Sequence, residues 1–252
     1  MTEILETTKK NLLKAAEAIR QNGLVAFPTE TVYGLGGCAF SEKAIVKIFE
    51  VKKRPRFDPL IVHIAEKDDY KLLCSTIPST AEKLIEAFCP GPLTLVLPKR
   101  EKVPDIVTSG LDTVAVRMPS HPIALQLIQY SKCPIAAPSA NRFGHVSPTR
   151  AEDVLSDLGD SVDFILDGGP TLVGVESTVV FVTEEEIILL RPGGIPIEDI
   201  EKVIGRVNIK RKCQNCCHLV SPKNTTHQKL PYTYMKETLR NSSKLIEMIM
   251  LF

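Results

Sequence analysis

Four basic side chains lie within five residues of each other, at Lys52, Lys53, Arg54 and Arg56. They connect a predicted helix to the apolar run LIVHI, and two prolines stiffen the connection. Cations packed this densely repel one another, so they need either full solvation or a bound anion. Phosphate suits a mixture of lysine point charges and arginine forks. A solvated loop and a phosphate site are therefore the two alternatives here.

Three more polar side chains fall at or near the ends of predicted strands. Arg117 ends TVAVR, Arg191 follows EIILL, and His63 lies in LIVHI. Alternate residues of a strand face opposite sides of a sheet, so Arg117 shares a face with Ala115, and His63 with Ile61. Each residue alone is typical of a surface ion pair or a structural histidine. Together they predict one rim of an α/β sheet, where such folds place ligands.

Two polar loops between apolar runs have the composition of ligand-binding segments, FPTETVYGLGG at 27–37 and PSANRFGHVSPT at 138–149. Glycines at 34, 36 and 37 permit close approach of the backbone to a ligand. The alternative is that these are ordinary turns whose Asn and Ser side chains cap their own backbone. The candidate ligand contacts are Thr29, Thr31, Tyr33, Ser139, Asn141 and Ser147.

Several common catalytic signatures do not occur in the sequence. It has no G-x-x-x-x-G-K-[ST] phosphate loop, no G-x-G-x-x-G after a strand, no G-x-S-x-G and no H-E-x-x-H. The usual nucleotide-binding, α/β-hydrolase and metalloprotease motifs are thereby excluded.

The elements that must position these residues alternate between helical and strand periods, which is typical of an α/β fold. Thr8 is a predicted cap of a helix that stops before Gly23, while Ser41 and Ser79 begin two more. Eight short apolar runs predict strands: LVAF, LIVHI, LTLVL, TVAVR, PIAAP, VDFIL, STVVF and EIILL. Eight or so strands among four or five helices require a large sheet within a single irregular α/β domain.

Composition narrows the class of protein. The 252 residues are 44% hydrophobic and 24% charged, which suits one globular domain, or one domain with a short appendage. The apolar runs are too short for a bilayer span, and the N-terminus lacks the pattern of a secretory signal. We therefore expect a cytoplasmic protein with no membrane segment. Cysteines at 38, 74, 89 and 133 read as reduced, buried small hydrophobes.

The last fifth of the chain differs from the rest. Residues 201–252 carry ten basic and three acidic side chains, whereas residues 1–200 carry 21 and 27. The sequence predicts a domain over 1–205 and a basic linker or arm over 206–252, either a solvated tail or a nucleic-acid contact. A cluster of cysteines and one histidine in this arm resembles half of the ligand set of a zinc site. No second C-x-x-C pair follows, so no metal site is assigned. The residues of the cluster are Cys213, Cys216, Cys217 and His218.

Seven motifs, taken in order, resemble the YrdC-like family of threonylcarbamoyl-AMP synthases over about residues 8–200. They are PTETVYGLG, KKRPRFDPLIVHI, CPGPLTLVL, TVAVRMPSHP, APSANRFGHVSPT, GVESTVV and LLRPGG. The resemblance implies a twisted mixed sheet with flanking helices around an open, positively charged cavity. It also implies a nucleotidyltransferase that joins L-threonine, bicarbonate (as CO₂) and ATP, with Mg²⁺, into threonylcarbamoyl-AMP and pyrophosphate. That product serves the threonylcarbamoyl modification of the adenosine beside the anticodon of tRNA.

The same resemblance implies roles for individual residues. Lys52 and Arg54 would be the catalytic cations, and both belong to the ATP-binding set. The ATP-binding set is Lys52, Arg54, Asp58, Ser139, Asn141, Ser147 and Arg191. The L-threonine-binding set is Thr31, His63, Arg117 and Ser177, with Arg117 as partner of the amino acid's carboxylate. The implied partners are a downstream threonylcarbamoyl transferase complex and, weakly, tRNA.

Long members of the family continue through a linker with S-P-G and H-Y-x-P signatures. This chain has Ser221 and Pro222 without the glycine, and His227 and Pro231 without the tyrosine. The arm thus resembles a shortened remnant of that linker, and it is the candidate lid over the cavity.

Two other functions compete with this interpretation. A non-catalytic module that binds double-stranded RNA or tRNA would explain the basic charge, although few aromatic residues are available for stacking. A related cavity that takes a carbamoyl group from another donor is the second alternative.

Overall fold

The computed structural model describes residues 2–209 of the chain. Its helices are α1 (Lys9–Arg20), α2 (Glu42–Lys52), α3 (Tyr70–Leu73), α4 (Ser79–Phe88), α5 (Asp105–Thr108), α6 (Pro122–Ser131), α7 (Ala151–Leu158) and α8 (Ile197–Ile204). Its strands are β1 (Glu3–Glu6), β2 (Val25–Phe27), β3 (Gly34–Cys38), β4 (Ile61–His63), β5 (Leu93–Pro98), β6 (Thr113–Arg117), β7 (Ile135–Ala136), β8 (Phe164–Asp167), β9 (Thr178–Val182), β10 (Ile187–Arg191) and β11 (Asn208–Ile209).

Local sequence signals account for where the first helices begin. The Thr8 side chain accepts from the Asn11 amide, and the Ser41 side chain accepts from the Ala44 amide, so both predicted caps are confirmed. Ser79 is the first residue of α4, one position after its Pro78 cap. Leu12, Ala15, Ala16 and Ile19 form the buried apolar stripe of α1, whereas Leu13 is exposed.

All described strands join one mixed sheet in the order β1-β8-β2-β3-β7-β4-β6-β5-β9-β10-β11. The sheet contains parallel pairs, such as β4 with β6, and antiparallel pairs, such as β5 with β6. Each of the eight predicted apolar runs contributes a strand, and the α/β fold class is confirmed. Helices cover the sheet, and within residues 2–209 none of them combines the length and apolar character that a bilayer span needs.

Three strands were not predicted. β1 has only one buried residue, Leu5, and pairs in parallel with β8. β3 is rich in glycine and lies in the segment interpreted as a loop at 27–37. β11 pairs in parallel with β10, so the sheet continues past residue 205, where the sequence placed a boundary. The rest of the predicted arm, with its cysteine cluster and linker remnants, lies outside the described residues.

The two faces of β6 have different surroundings, as period-two geometry predicts. Val114 and Val116 are buried in the main apolar core, whereas Thr113, Ala115 and Arg117 line a cavity on the other face. β4 follows the same rule, with Val62 in the core and His63 on the cavity side. The sheet thus separates a dry core from a polar concave face.

The glycines of β3 serve packing more than ligand approach, which corrects the sequence interpretation. Gly34 lines the cavity, but a Cβ on Gly36 would meet Ile135 Cγ2 at 2.6 Å and Phe27 Cε1 at 2.7 Å. A Cβ on Gly37 would come within 3.1 Å of Ala44 Cβ. The strand can lie this close to its neighbours because these two positions lack side chains.

We expect Gly36→Ala to lower the free energy of unfolding by about 1–3 kcal/mol, because the added methyl group overpacks two buried side chains. Gly34→Ala is the matched control in the same strand, since its Cβ would lie 3.4 Å from the nearest atoms. Urea unfolding of the two variants measures the difference. Equal losses of stability would contradict the packing role of Gly36.

Candidate active site

A cavity of about 550 Å³ opens on the polar face of the sheet. Strands β4, β6 and β10 form its floor with their cavity-facing residues, and the loops around residues 52–59, 138–147 and 176–177 form its walls. All eleven side chains assigned by sequence to the two binding sets line it. They are Thr31, Lys52, Arg54, Asp58, His63, Arg117, Ser139, Asn141, Ser147, Ser177 and Arg191.

Lys52 is the last residue of α2 and is only 1% exposed. Its Nζ donates to the backbone oxygen of Ser139 at 2.6 Å and to that of Asn141. Burial, with the like charge of Arg54, lowers the pKa of Lys52 to about 7. A neutral amine has two N–H groups, and both carbonyls use them. The protonated form has a third N–H, beyond the two that these carbonyls accept, and this N–H is available for an anion.

The four-cation cluster divides into two inward and two outward residues. Lys53 caps α2 in the left-handed conformation with φ of 52° and is exposed, as is Arg56. Lys52 and Arg54 line the cavity. The solvated-loop alternative therefore fits Lys53 and Arg56, and a phosphate site stays a prediction for Lys52 and Arg54.

The Arg54 guanidinium is fixed before any ligand binds. Its Nη2 lies 2.7 Å from Asp58 Oδ2, and the pair is mostly buried. Arg54 also donates to the backbone oxygens of Asp58 and Pro59 at 3.3 and 3.2 Å. Burial raises the pKa of Asp58, and the adjacent Arg54 opposes that shift. Asp58, assigned by sequence to ATP binding, contacts Arg54 directly and thereby fixes the direction of the guanidinium.

Arg191 and Ser177 form a direct link between the two predicted binding sets. Arg191 Nη2 donates to the Ser177 backbone oxygen at 3.0 Å and to Ser177 Oγ at 3.2 Å. Ser177 Oγ lies 2.7 Å from Thr94 Oγ1, which is fully buried on β5. Sequence reasoning missed Thr94, which appeared only as one polar residue inside the apolar run LTLVL. The link places the predicted nucleotide and amino-acid ends of the cavity side by side.

Arg117 has a partner that the sequence interpretation did not identify. Its Nη2 donates to Glu30 Oε1 at 2.7 Å, both side chains are buried, and Glu30 Oε2 accepts from the Ser120 amide at 3.2 Å. Arg117 Nε, by contrast, has no hydrogen-bond partner within residues 2–209. Glu30 therefore neutralises one side of the guanidinium and leaves another side unsatisfied. The sequence shows an acidic residue between two threonines, Thr29 and Thr31, but its burial is seen only in the structure. A buried carboxylate needs a cation, so burial would have pointed to a partner such as Arg117.

His63 lies beside Arg117 in the parallel β4–β6 register. Burial, with the charge of Arg117, lowers the pKa of His63 to about 3, so the ring is neutral at neutral pH. Its Nδ1 is buried without a partner in the described part of the chain. The ring contacts Phe27 edge to face, at 6.1 Å between centroids. A neutral imidazole fixed in this way offers a hydrogen bond to an uncharged polar group.

The loop at 138–149 has the hydrogen bonds of an ordinary turn and also lines the cavity. Asn141 Nδ2 donates to the backbone oxygens of Arg142 and His145 at 2.9 and 2.7 Å, as an ordinary turn residue would. Its buried Oδ1 has no partner among the described residues and belongs to a cavity-lining side chain. Ser147 Oγ donates to Glu176 Oε1 at 2.6 Å, so Glu176 is another residue that the sequence interpretation missed.

The threonine hydroxyls of the loop at 27–37 have different surroundings from the tyrosine hydroxyl. Thr31 Oγ1 lies 2.8 Å from Thr29 Oγ1, and both residues line the cavity. Tyr33 is not among the lining residues, which corrects its assignment as a ligand contact. Its hydroxyl donates to the Gly169 backbone oxygen at 2.7 Å and accepts from the Gly168 amide. Tyr33 therefore holds a neighbouring loop in place.

The fold and the cavity define an α/β protein with a cavity, lined by cationic and other polar side chains, on the polar face of its sheet. Four cationic side chains line the cavity against two carboxylates, and buried polar atoms remain without partners in the described chain. This chain belongs to the Sua5/YciO/YrdC family, whose model, described as "Telomere recombination", matches residues 17–193.

Individual relatives agree with this assignment. The chain is 58% identical over 195 residues to the threonylcarbamoyl-AMP synthase of Pyrococcus abyssi, covering 77% of this chain and 57% of that protein. It is 50% identical over 212 residues to the Bacillus subtilis threonylcarbamoyl-AMP synthase, covering 84% and 61%. The chain thus spans about three fifths of the length of these curated relatives.

A solved structure shares the fold. The crystal structure of P. abyssi Sua5 complexed with L-threonine matches with a TM-score of 0.81 and 53% sequence identity. The match covers 83% of this chain and 62% of that one.

The lowered pKa of Lys52 predicts that a polyphosphate binds together with a proton. At pH 8 the free amine is mostly neutral, and an anion beside it raises its pKa. With ATP as the polyanion, calorimetry in buffers of different ionisation enthalpy should show uptake of about one proton per ATP. Lys52→Arg, which keeps the charge permanently, should show almost none. A binding enthalpy of the wild-type protein that does not depend on the buffer would contradict the prediction.

Proposed function

We propose that this chain is a threonylcarbamoyl-AMP synthase, an enzyme that condenses L-threonine, CO₂ from bicarbonate, and ATP into threonylcarbamoyl-AMP and pyrophosphate. One observation carries the proposal: Lys52, Arg54, Arg117 and Arg191, which come from three distant segments of the sequence, line one cavity. Relatives named for this activity and the L-threonine complex of P. abyssi Sua5 support it.

The reaction needs no side-chain nucleophile. The threonine amine adds to the carbon of CO₂ and loses a proton, and a carbamate forms. A carbamate oxygen then attacks the α-phosphorus of ATP, and the bond from that phosphorus to the bridging oxygen of pyrophosphate breaks. The work of the protein is to hold the reactants together and to stabilise charge that moves onto the leaving pyrophosphate.

The phosphate end of the cavity is built from Lys52, Arg54 and Arg191. All three line the cavity, and the protein holds each of them on one side. Backbone carbonyls hold Lys52, Asp58 holds Arg54, and Ser177 holds Arg191. Cations oriented in advance in a mostly buried site stabilise developing negative charge without having to reorganise during the reaction. Ser139, Asn141 and Ser147 complete this end.

The amino-acid end is built from Arg117, His63, Thr31 and Ser177. The unsatisfied Nε of Arg117 suits the threonine carboxylate, and the neutral His63 suits the threonine hydroxyl. Glu30 limits the charge of this end because it neutralises part of Arg117. The Arg191–Ser177 hydrogen bonds then bring the amino acid beside the innermost phosphate.

Mg²⁺ is part of the proposal as an ion bound by the ATP phosphates. Within residues 2–209, no group of three or more His, Cys, Asp or Glu side chains is arranged to hold a metal ion. The cavity carboxylates, Asp58 and Glu176, already contact Arg54 and Ser147. The residues present therefore do not form a metal site of their own, and phosphate oxygens and water would supply most ligands of the ion.

The shape of the cavity favours this function over a module that binds double-stranded RNA. Thr31, Ser177 and Arg117 are at most 4% exposed, so a duplex backbone cannot reach them. A small molecule that enters the cavity can reach these side chains. A downstream threonylcarbamoyl transferase, a weak tRNA contact and a cytoplasmic location remain predictions that accompany the proposal, as does a lid formed by the arm.

Incubation of the purified chain with ATP, L-threonine and labelled bicarbonate tests the proposal. We expect pyrophosphate release that depends on threonine, with label in the adenylate product. Binding of RNA without threonine-dependent release would support the RNA module. Label transfer from a carbamoyl donor without threonine would support the second alternative. Either result would overturn the proposal.

Arg54→Ala should lower the turnover of this reaction by about 100-fold or more, because one preorganised cation is lost from the phosphate end. Arg56→Ala is the matched control, since Arg56 lies two residues away with an exposed side chain. It should retain turnover within about twofold of wild type. Steady-state rates of pyrophosphate release compare the two. Similar losses in both variants would contradict the assigned role of Arg54.

A further inference from the structure

Two of the described cysteines differ from the other two. Cys74 and Cys89 are buried, as the sequence predicted, whereas Cys38 and Cys133 are only half-buried. Cys38 ends β3, and Cys133 lies two residues before β7. Both pack against the same apolar cluster, which is formed by α1, α6 and the strands beneath them.

The pairing of β3 with β7 brings these two cysteines onto one face. Cys38 lies directly opposite Ile135 in the antiparallel register, and Cys133 precedes Ile135 by two residues. The Ala39 amide donates to the Pro134 backbone oxygen at 2.9 Å, so the ladder continues beyond the assigned strand. Residues two apart on an extended chain share a face. Cys38 and Cys133 are therefore diagonal cross-strand neighbours.

The environment of Cys38 favours its thiolate. The Cys133 thiol and the backbone amides of Phe40 and Ser41 contact the Cys38 sulfur. These contacts lower the pKa of Cys38, the Cys133 contact most of all, although partial burial opposes them. The pKa of Cys133 is raised in turn by the same contact, and Arg20 is the charged group that opposes this rise. Burial raises the pKa of Cys74 to about 12, so that thiol is inert.

We propose that Cys38 and Cys133 form a reactive dithiol that closes reversibly to an intramolecular disulfide when it meets a small disulfide. The Cys38 thiolate attacks one sulfur of the small disulfide, whose S–S bond breaks and releases one thiolate. Cys133 gives its proton to that thiolate and attacks the Cys38 sulfur, and the second half of the small disulfide leaves as a thiolate that takes a proton from water. Two protein thiols are oxidised, and one small disulfide is reduced to two thiols.

The dithiol lies at the end of β3 opposite to the cavity. Gly34, the first residue of β3, lines the cavity, and so do the residues that follow β7, Ala137, Pro138 and Ser139. A disulfide would therefore fasten together the two strands that carry one wall of the cavity. The proposal stands on the sheet pairing and the thiol contact, so it does not depend on the proposed function.

Peptide mapping of the full chain tests the proposal. The protein is incubated with oxidised glutathione at pH 7, the remaining thiols are alkylated, and trypsin is added. Cleavage after Arg20, Lys43, Lys132 and Arg142 isolates Cys38 in peptide 21–43 and Cys133 in peptide 133–142. We expect these two peptides to be joined, two hydrogen atoms lighter than their sum, and separated again by dithiothreitol. The peptides with Cys74 and Cys89 should remain alkylated.

Variants assign the order of the two steps. Cys133→Ser should stop at a mixed disulfide on Cys38, and Cys38→Ser should leave Cys133 unmodified. In the wild-type protein, iodoacetamide at pH 7 should alkylate Cys38 faster than Cys74 by about tenfold or more.

Three results would overturn the proposal. The first is a Cys38 that stays a free thiol after oxidation, and the second is separate modification of Cys38 and Cys133 without a link. The third is a disulfide from Cys38 to one of the cysteines at 213, 216 or 217. Each is read from the same peptide map.

Discussion

The structure depends on holding like charges together inside a mostly buried cavity. Each of the four cations there is satisfied by the protein on one side: Lys52 by two carbonyls, Arg54 by Asp58, Arg117 by Glu30 and Arg191 by Ser177. These contacts offset the cost of burial. They also fix the direction of each cation, so that its other side faces the cavity. A bound polyanion and a bound carboxylate would complete what the fold leaves unpaired.

The mixed sheet makes this convergence possible. Parallel pairing of β4 with β6 places His63 beside Arg117, and antiparallel pairing of β5 with β6 places Thr94 opposite Arg117. β5 also pairs in parallel with β9, which brings Ser177, the residue before β9, to the same region. Thr94 and Ser177, which are 83 positions apart, thus meet because of register. The opposite face of the same strands is apolar and supplies the core.

Local signals in the sequence were sufficient for much of this fold. The Thr8 and Ser41 caps, the eight apolar runs and the alternation within TVAVR each follow from rules that act over a few residues. β1 could not be predicted in this way, because three of its four residues are partly or fully exposed and its partner β8 lies about 160 residues away. β3 was missed because glycine disfavours strands, and its glycines are explained only by the neighbours they accommodate. Glu30, Glu176 and Thr94 likewise act through contacts between distant segments. Motif reasoning therefore identified eleven residues that line the cavity but not these three.

The central claim is that one cavity holds a triphosphate and an amino acid side by side. A crystal structure of this chain with L-threonine and a non-hydrolysable ATP analogue tests it most directly. We expect both ligands in the cavity, with the threonine carboxylate on Arg117 and the phosphates on Lys52, Arg54 and Arg191. The threonine nitrogen should lie on the side of the α-phosphorus. A nucleotide bound elsewhere, or phosphates that contact none of these three cations, would contradict the account.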